Sequence, residues 1–191
     1  MLQEESNLGD TNILLGVSGG VAAYKAVDLA SRLRARGASV ETVMTASACE
    51  LIRPMSFEAV TRSAVYTSLW CAAGEHSGTH ISLLEWADIV VVAPATADII
   101  GKIANGICDD LLSTTVCACW AKRVLLAPAM NNNMWENPAV QRNVEAVKGM
   151  GFQLTGPGTG RLSCGVDAIG RMSEPQEILA EIEKIASGIK K

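Results

Sequence analysis

The chain has 191 residues, 49% of them hydrophobic, and a formal net charge of −4. That length and apolar content suffice for one domain with a full core. The net negative charge, with no basic patch interleaved with aromatics, argues against a nucleic-acid partner, and no apolar run approaches the roughly 18 residues a membrane helix needs. The first eleven residues, MLQEESNLGDT, are polar and acidic and resemble neither a secretory signal nor a transit peptide. Six cysteines, Cys49, Cys71, Cys108, Cys117, Cys119 and Cys164, contain no C-x-x-C pair and stand beside only two histidines. This is no zinc pattern, and the expectation is a cytoplasmic protein with reduced thiols. One domain is expected over 12–187, behind a tail at 1–11.

In chain order, Asn12 to Val17 reads as a strand, Ser18-Gly19-Gly20 as a tight turn, and Val21 to Arg36 as a helix. Val21, Ala22, Ala26, Leu29, Ala30 and Leu33 share one face of that helix, and Gly37 closes it. Ser39 to Thr45 is a second strand. Ala46 to Ile52 follows as a short helix stopped by Arg53-Pro54, and another runs from Ser56 to Thr61. The stretch 63–78 shows no period.

A helix from Thr79 to Trp86 leads to Asp88–Ala93, a buried strand that Pro94 is expected to end. Thr96 is a natural N-cap for a helix to Ala104. A helix over roughly Asp110 to Trp120 precedes the strand Val124–Leu126, which Pro128 is expected to end in the same way. Pro138 to Lys148 is helical, Phe152 to Thr155 is the last strand, and 156–172 is glycine-rich and too long for a simple connection. A helix runs from Pro175 to about Ala186. Strands alternating with helices imply an α/β fold of three layers, a doubly wound parallel sheet of about six strands, Rossmann-like.

Met130, Asn131, Asn132, Asn133, Met134 and Trp135 follow a strand's carboxyl end, where open α/β sheets bind ligands. Three uncharged amides beside polarizable surface suit a ligand, although an Asn-rich turn capping a helix explains them equally well. The backbone amides of Ser18, Gly19 and Gly20 can form a nest for a phosphate at a helix N-terminus. The turn is not G-x-G-x-x-G, and the second strand ends in Thr45 and Ser47 rather than an acidic ribose ligand. This favours a mononucleotide over a dinucleotide. Asp109-Asp110 reads as negative charge at a helix start rather than a metal pair. Cys117 and Cys119 are core residues by default. His76 and His80 read as ordinary surface or capping residues. Cys164 differs, because it lies in a glycine-rich loop between Arg161 and Arg171, where cations lower a thiol pKa and suit it to proton transfer.

Together, GVSGGVAAYK at 16–25, THISLLEWAD at 79–88, APATADIIGKIANGICDDLL at 93–112, PAMNNNMW at 128–135 and SCGVDAIGRM at 163–172 resemble the flavin-dependent cysteine decarboxylases. Within that family, the chain is similar to the phosphopantothenoylcysteine decarboxylases of coenzyme A biosynthesis. The resemblance implies FMN held by Ser18, Gly19, Gly20, Val21, Thr45 and Ser47, by Thr96, Ala97, Asp98 and Ile99, and near its ring by Ala129. It implies His80 as base, Asn131 as the amide on the substrate carboxylate, and Cys164 as proton donor. Met130, Arg161, Leu162 and Ser163 would contact substrate, the last three from a flap over 156–172. Asp98 stands where many members carry Asn.

The implied chemistry oxidises the cysteine-derived end to a thioaldehyde, an electron sink for the departing CO₂. Reduced FMN then returns a hydride to the enethiol, and Cys164 supplies the proton. The implied assembly is a homotrimer or a dodecamer of trimers with sites at subunit boundaries. The partner would be a phosphopantothenoylcysteine synthetase, fused or separate. A peptidyl-cysteine decarboxylase and a non-catalytic flavoprotein regulatory subunit remain as alternatives.

Overall fold

A computed structural model describes residues 8–70, 79–119, 122–162 and 165–189. The elements, in chain order, are β1 (Asn12–Val17), α1 (Ala23–Ala35), β2 (Ser39–Met44), α2 (Ala46–Leu51), α3 (Pro54–Thr61) and β3 (Val65–Tyr66). Then come α4 (Thr79–Trp86), β4 (Ile89–Ala95), α5 (Ala97–Asn105), α6 (Leu111–Ala118) and β5 (Arg123–Pro128). The chain closes with α7 (Asn132–Trp135), α8 (Pro138–Gly149), β6 (Gln153–Leu154), β7 (Gly158–Arg161), β8 (Asp167–Arg171) and α9 (Pro175–Ser187).

Six strands form one parallel sheet in the order β3-β2-β1-β4-β5-β6. After their first residues, Asn12 and Arg123, β1 and β5 are apolar and buried, as is all of β4, as a sheet covered on both faces requires. Residues of α1, α3 and α9, among them Leu29, Phe57 and Ile182, fill one face. Residues of α4, α5, α6 and α8, among them Leu83, Ile100, Leu112 and Val144, fill the other. The chain steps outward from β1 to β2 and β3, then returns to β1's other side with β4. The switch point therefore lies between the carboxyl ends of β1 and β4, where such sheets open a crevice.

Several boundaries differ from the expectations. Pro94 does not end its strand: β4 runs to Ala95 and pairs it with Pro128, after a register shift beyond Val92. The missing N–H of each proline falls at the irregular end of the ladder, while the Pro94 carbonyl still accepts. Pro54 opens α3 at its first turn, where a proline costs no hydrogen bond. Val65–Tyr66, in a stretch without period, adds the edge strand β3. Leu8, expected in a polar tail, is buried and its N–H bonds the Arg36 carbonyl at 2.9 Å. Cys117 is exposed, whereas Cys119 is buried and its thiol is pushed up to about 12 by desolvation. Val21 lies ahead of α1 and is 64% exposed, so it is no core residue.

Ser18 latches β1 to β4. Its buried hydroxyl donates to the Pro94 carbonyl at 2.7 Å and accepts from the Thr96 N–H at 3.1 Å. Ser18→Ala removes both bonds of this hydroxyl, leaving the Pro94 carbonyl with the weaker 3.4 Å bond from the Ser18 N–H, and is expected to cost about 1–2 kcal/mol in chemical denaturation, with the fold unchanged by circular dichroism.

Candidate functional site

The switch point carries a cleft of about 940 Å³. Gly19 to Ala22 wall it after β1, Thr96 to Asp98 after β4, and Ala129 to Asn131 with Met134 after β5. A separate antiparallel hairpin, β7–β8, covers it with Arg161, Leu162, Gly170, Arg171 and Met172. A smaller cleft of about 220 Å³ adjoins it, lined by Thr45, Ala46, Ser47, Lys102 and Asp110, and shares Gly19, Thr96 and Asp98 with it.

The turn after β1 is shaped by close packing. A Cβ on Gly19 would lie 2.3 Å from that of Ser47, and one on Gly20 would lie 3.1 Å from the Thr96 methyl. The nest expected from three amides is reduced, because the Ser18 N–H points to Pro94 and the Gly20 N–H closes onto the Ser18 carbonyl at 2.9 Å. Thr45 and Thr96 are both helix N-caps; their hydroxyls accept from the Ala48 and Ile99 amides. The asparagine run turns out to start a helix. The Asn131 Oδ1 accepts from the Asn133 N–H at 2.9 Å and caps α7, which sets the amide's orientation at the cleft wall.

The flap expected over 156–172 is the hairpin β7–β8, and backbone contact holds it down. The Met130 N–H donates to the Gly170 carbonyl at 2.9 Å. Gly170 has φ +135°, and a Cβ there would meet the Met130 carbonyl at 2.2 Å. Behind the hairpin, Lys25 is buried against the cleft and bonds Glu174 at 2.9 Å, and Arg171 bonds the same carboxylate. The Lys25 ammonium holds the Glu174 carboxyl below its usual range.

The model of the Flavoprotein family matches residues 1–187. The chain belongs to the flavoprotein family. It is 45% identical over 177 residues to the coenzyme A biosynthesis bifunctional protein CoaBC of Bacillus subtilis, covering 93% of this chain and 43% of that protein. The chain thus spans less than half the length of that relative. Among solved structures, it is similar to a cysteine-to-serine mutant of PPC decarboxylase complexed with pantothenoylaminoethenethiol, with TM-score 0.81 and 33% identity, covering 92% of this chain and 97% of that one. The FMN-dependent cysteine decarboxylase SpaF matches with TM-score 0.80 and 34% identity over 94% and 99% of the two chains.

In this flavoprotein, the clefts bring together Gly19, Gly20, Val21, Thr45, Ser47, Thr96, Ala97, Asp98, Ala129, Met130, Asn131, Arg161 and Leu162 of the residues singled out in the sequence. Of the residues to which the resemblance gives a role, three described ones stay outside both linings. Ser18 is spent on the strand latch, and Ile99, on the buried face of α5, is turned into the core. His80 lies in the first turn of α4 on the sheet's other face. Since α4 runs back to the start of β4, that turn is at the carboxyl edge, but it does not line either cleft. Ser163, Cys164 and His76 lie outside the described residues. Lys25, Tyr24 and Lys102 line the clefts without having been singled out; all three were visible only within the motifs that carried the resemblance.

Gly170→Ala drives a methyl into the Met130 carbonyl. It is expected to destabilise the protein by about 1–3 kcal/mol and to speed tryptic cleavage at Arg161 and Arg171, read by mass spectrometry under native conditions.

Proposed function

We propose that this chain catalyses the FMN-dependent decarboxylation of 4′-phospho-N-pantothenoylcysteine to 4′-phosphopantetheine in coenzyme A biosynthesis. The observation that carries this reading is the pair of joined clefts at the switch point: a large, largely apolar one under a hairpin, and a small one bearing the Thr45 and Ser47 hydroxyls. An apolar slot joined to a polar end fits a flavin ring, its ribityl chain and a phosphate ester. Gly20, packed so closely on Thr96 that a Cβ would lie 3.1 Å from its methyl, presents bare backbone to the cleft, which fits close approach of such a group. The decarboxylases similar to this chain support the same choice.

FMN, when bound, supplies reversible two-electron oxidation of the substrate's thiol-bearing carbon, which lets the adjacent carboxylate leave as CO₂. Asn131, oriented by its bond to Asn133, is assigned to the substrate carboxylate. A neutral amide orients that group without the positive charge that would oppose its loss as CO₂. Arg161, exposed on the hairpin, is assigned with Leu162 and Ser163 to the substrate's approach. Cys164 is assigned to protonation of the product, on the resemblance alone.

His80 is assigned as the base, contributed to the site by a second copy of the chain. Val21 and Tyr24 line the cleft yet remain 64% and 59% exposed, and Leu51 and Met134 add apolar surface at the same mouth. Such a contiguous apolar rim fits a subunit boundary. The oligomer inferred is a homotrimer or a dodecamer built from trimers, acting with or fused to a phosphopantothenoylcysteine synthetase.

The test is anaerobic incubation of FMN-loaded protein with 4′-phospho-N-pantothenoylcysteine, with CO₂ and product followed by mass. Turnover is expected, and it is expected to fall by at least about a hundredfold in His80→Asn and in Cys164→Ser. Mixing the two inactive variants is expected to restore activity, because shared sites then regain an intact His80 and Cys164. No turnover with bound FMN overturns the coenzyme A assignment, turnover of a peptide ending in cysteine redirects it, and a mixture that stays inactive overturns the shared site.

A further inference from the structure

The wall between the two clefts is the first turn of α5, and Asp98 lines both. Its carboxylate is 73% exposed and lies 3.5 Å from the ammonium of Lys102, one turn further on. Lys102 is far more enclosed, at 19%, and also bonds Asp109 at 2.9 Å and Asp110 at 3.0 Å. Three carboxylates thus converge on one ammonium. Burial works against the Lys102 charge, but the bonds to Asp109 and Asp110 and the field of Asp98 outweigh it and raise its pKa.

Asp110 cannot turn away from this cluster. Its second carboxylate oxygen accepts from the Ser113 N–H at 2.8 Å as the cap of α6, within a capping box. Lys102 is therefore anchored from α6 and in turn restrains Asp98 on α5. Asp98, Asp110 and Lys102 all line the small cleft, beside the Thr45 and Ser47 hydroxyls. A phosphate ester placed there faces the carboxylates of Asp98 and Asp110, and among the described residues lining that cleft Lys102 is the cation that offsets them. Like charges a few ångströms apart repel, most strongly where the wall is partly enclosed and less where, as at Asp98, the carboxylate is open to solvent. A ligand without a phosphate does not meet that repulsion.

On the FMN reading above, we propose that Lys102 is the charge-compensating residue of the small cleft: by offsetting Asp98 and Asp110, it allows the cofactor's phosphate to bind and sets the preference for FMN over riboflavin. The Asp98 carboxylate arrives with its own counter-charge one turn away.

The test titrates flavin-stripped full-length protein with FMN and with riboflavin, reading flavin fluorescence at low and at high salt. Lys102→Met is expected to weaken FMN at least about tenfold while moving riboflavin less than about threefold, with the FMN loss shrinking as salt rises. Adding Asp98→Asn to Lys102→Met is expected to recover about threefold or more of the FMN affinity, and Lys102→Arg to retain it. Riboflavin binding reports whether each variant is folded. Should Lys102→Met not fold, Asp98→Asn alone decides: it is expected to tighten FMN and leave riboflavin unchanged. Equal changes for both flavins, or none, in the variants that fold overturn the inference while leaving the FMN reading intact. Wild-type protein that binds neither flavin overturns both.

Discussion

The Ala129 amide donates to the Ala95 carbonyl at 3.0 Å, and Ala95 pairs with Pro128 at the last step of the sheet. With the Ser18 latch between β1 and β4, this brings three central strands to a common edge despite a proline near the end of two of them. The cleft walls begin within a few residues of those strand ends. Were β4 and β5 to end at different levels, the loop from Ala129 to Asn133 would not stand beside Thr96, and the two clefts would not join.

Because the sheet is parallel, the helices that leave this edge present their N-termini to it. Thr45, Thr96 and Asn131 each cap one of them with a side-chain oxygen. The edge is thus rich in amide donors and positive dipole ends, a surrounding that favours an anion. Against that background Asp98 is costly beside a phosphate, and the Lys102 cluster offsets it. On the opposite wall, Lys25 and Arg171 share Glu174, so the cations under the hairpin are also partly compensated. The site is electrostatically trimmed from both sides rather than simply basic.

Much of this fold was legible in the sequence. Continuous apolar runs such as Ile89–Val92 specify buried parallel strands, and Thr96 announces a helix start through capping chemistry. Alternation of strand and helix then implies a doubly wound sheet, and motif order from Gly16 to Met172 points to the flavoprotein family. The prolines do not end β4 and β5, since a missing N–H ends a strand only where the ladder needs that donor. Val21 is exposed for a different reason: helical spacing marks a common face but not whether that face is covered.

What the sequence determined by itself is local: which segments are apolar enough to be buried, which side chains cap helices, and which residue types can meet a flavin or a carboxylate. Only the tertiary structure decided that Ser18 closes a strand junction, that Gly170 lies against the Met130 backbone, and that Lys102 gathers Asp98, Asp109 and Asp110 at the wall of the small cleft. Likewise, only the fold leaves His80 outside the clefts of its own chain. These are relations between residues distant in sequence or on separate elements, and their energies depend on distance and burial, which arise only when the sheet is assembled.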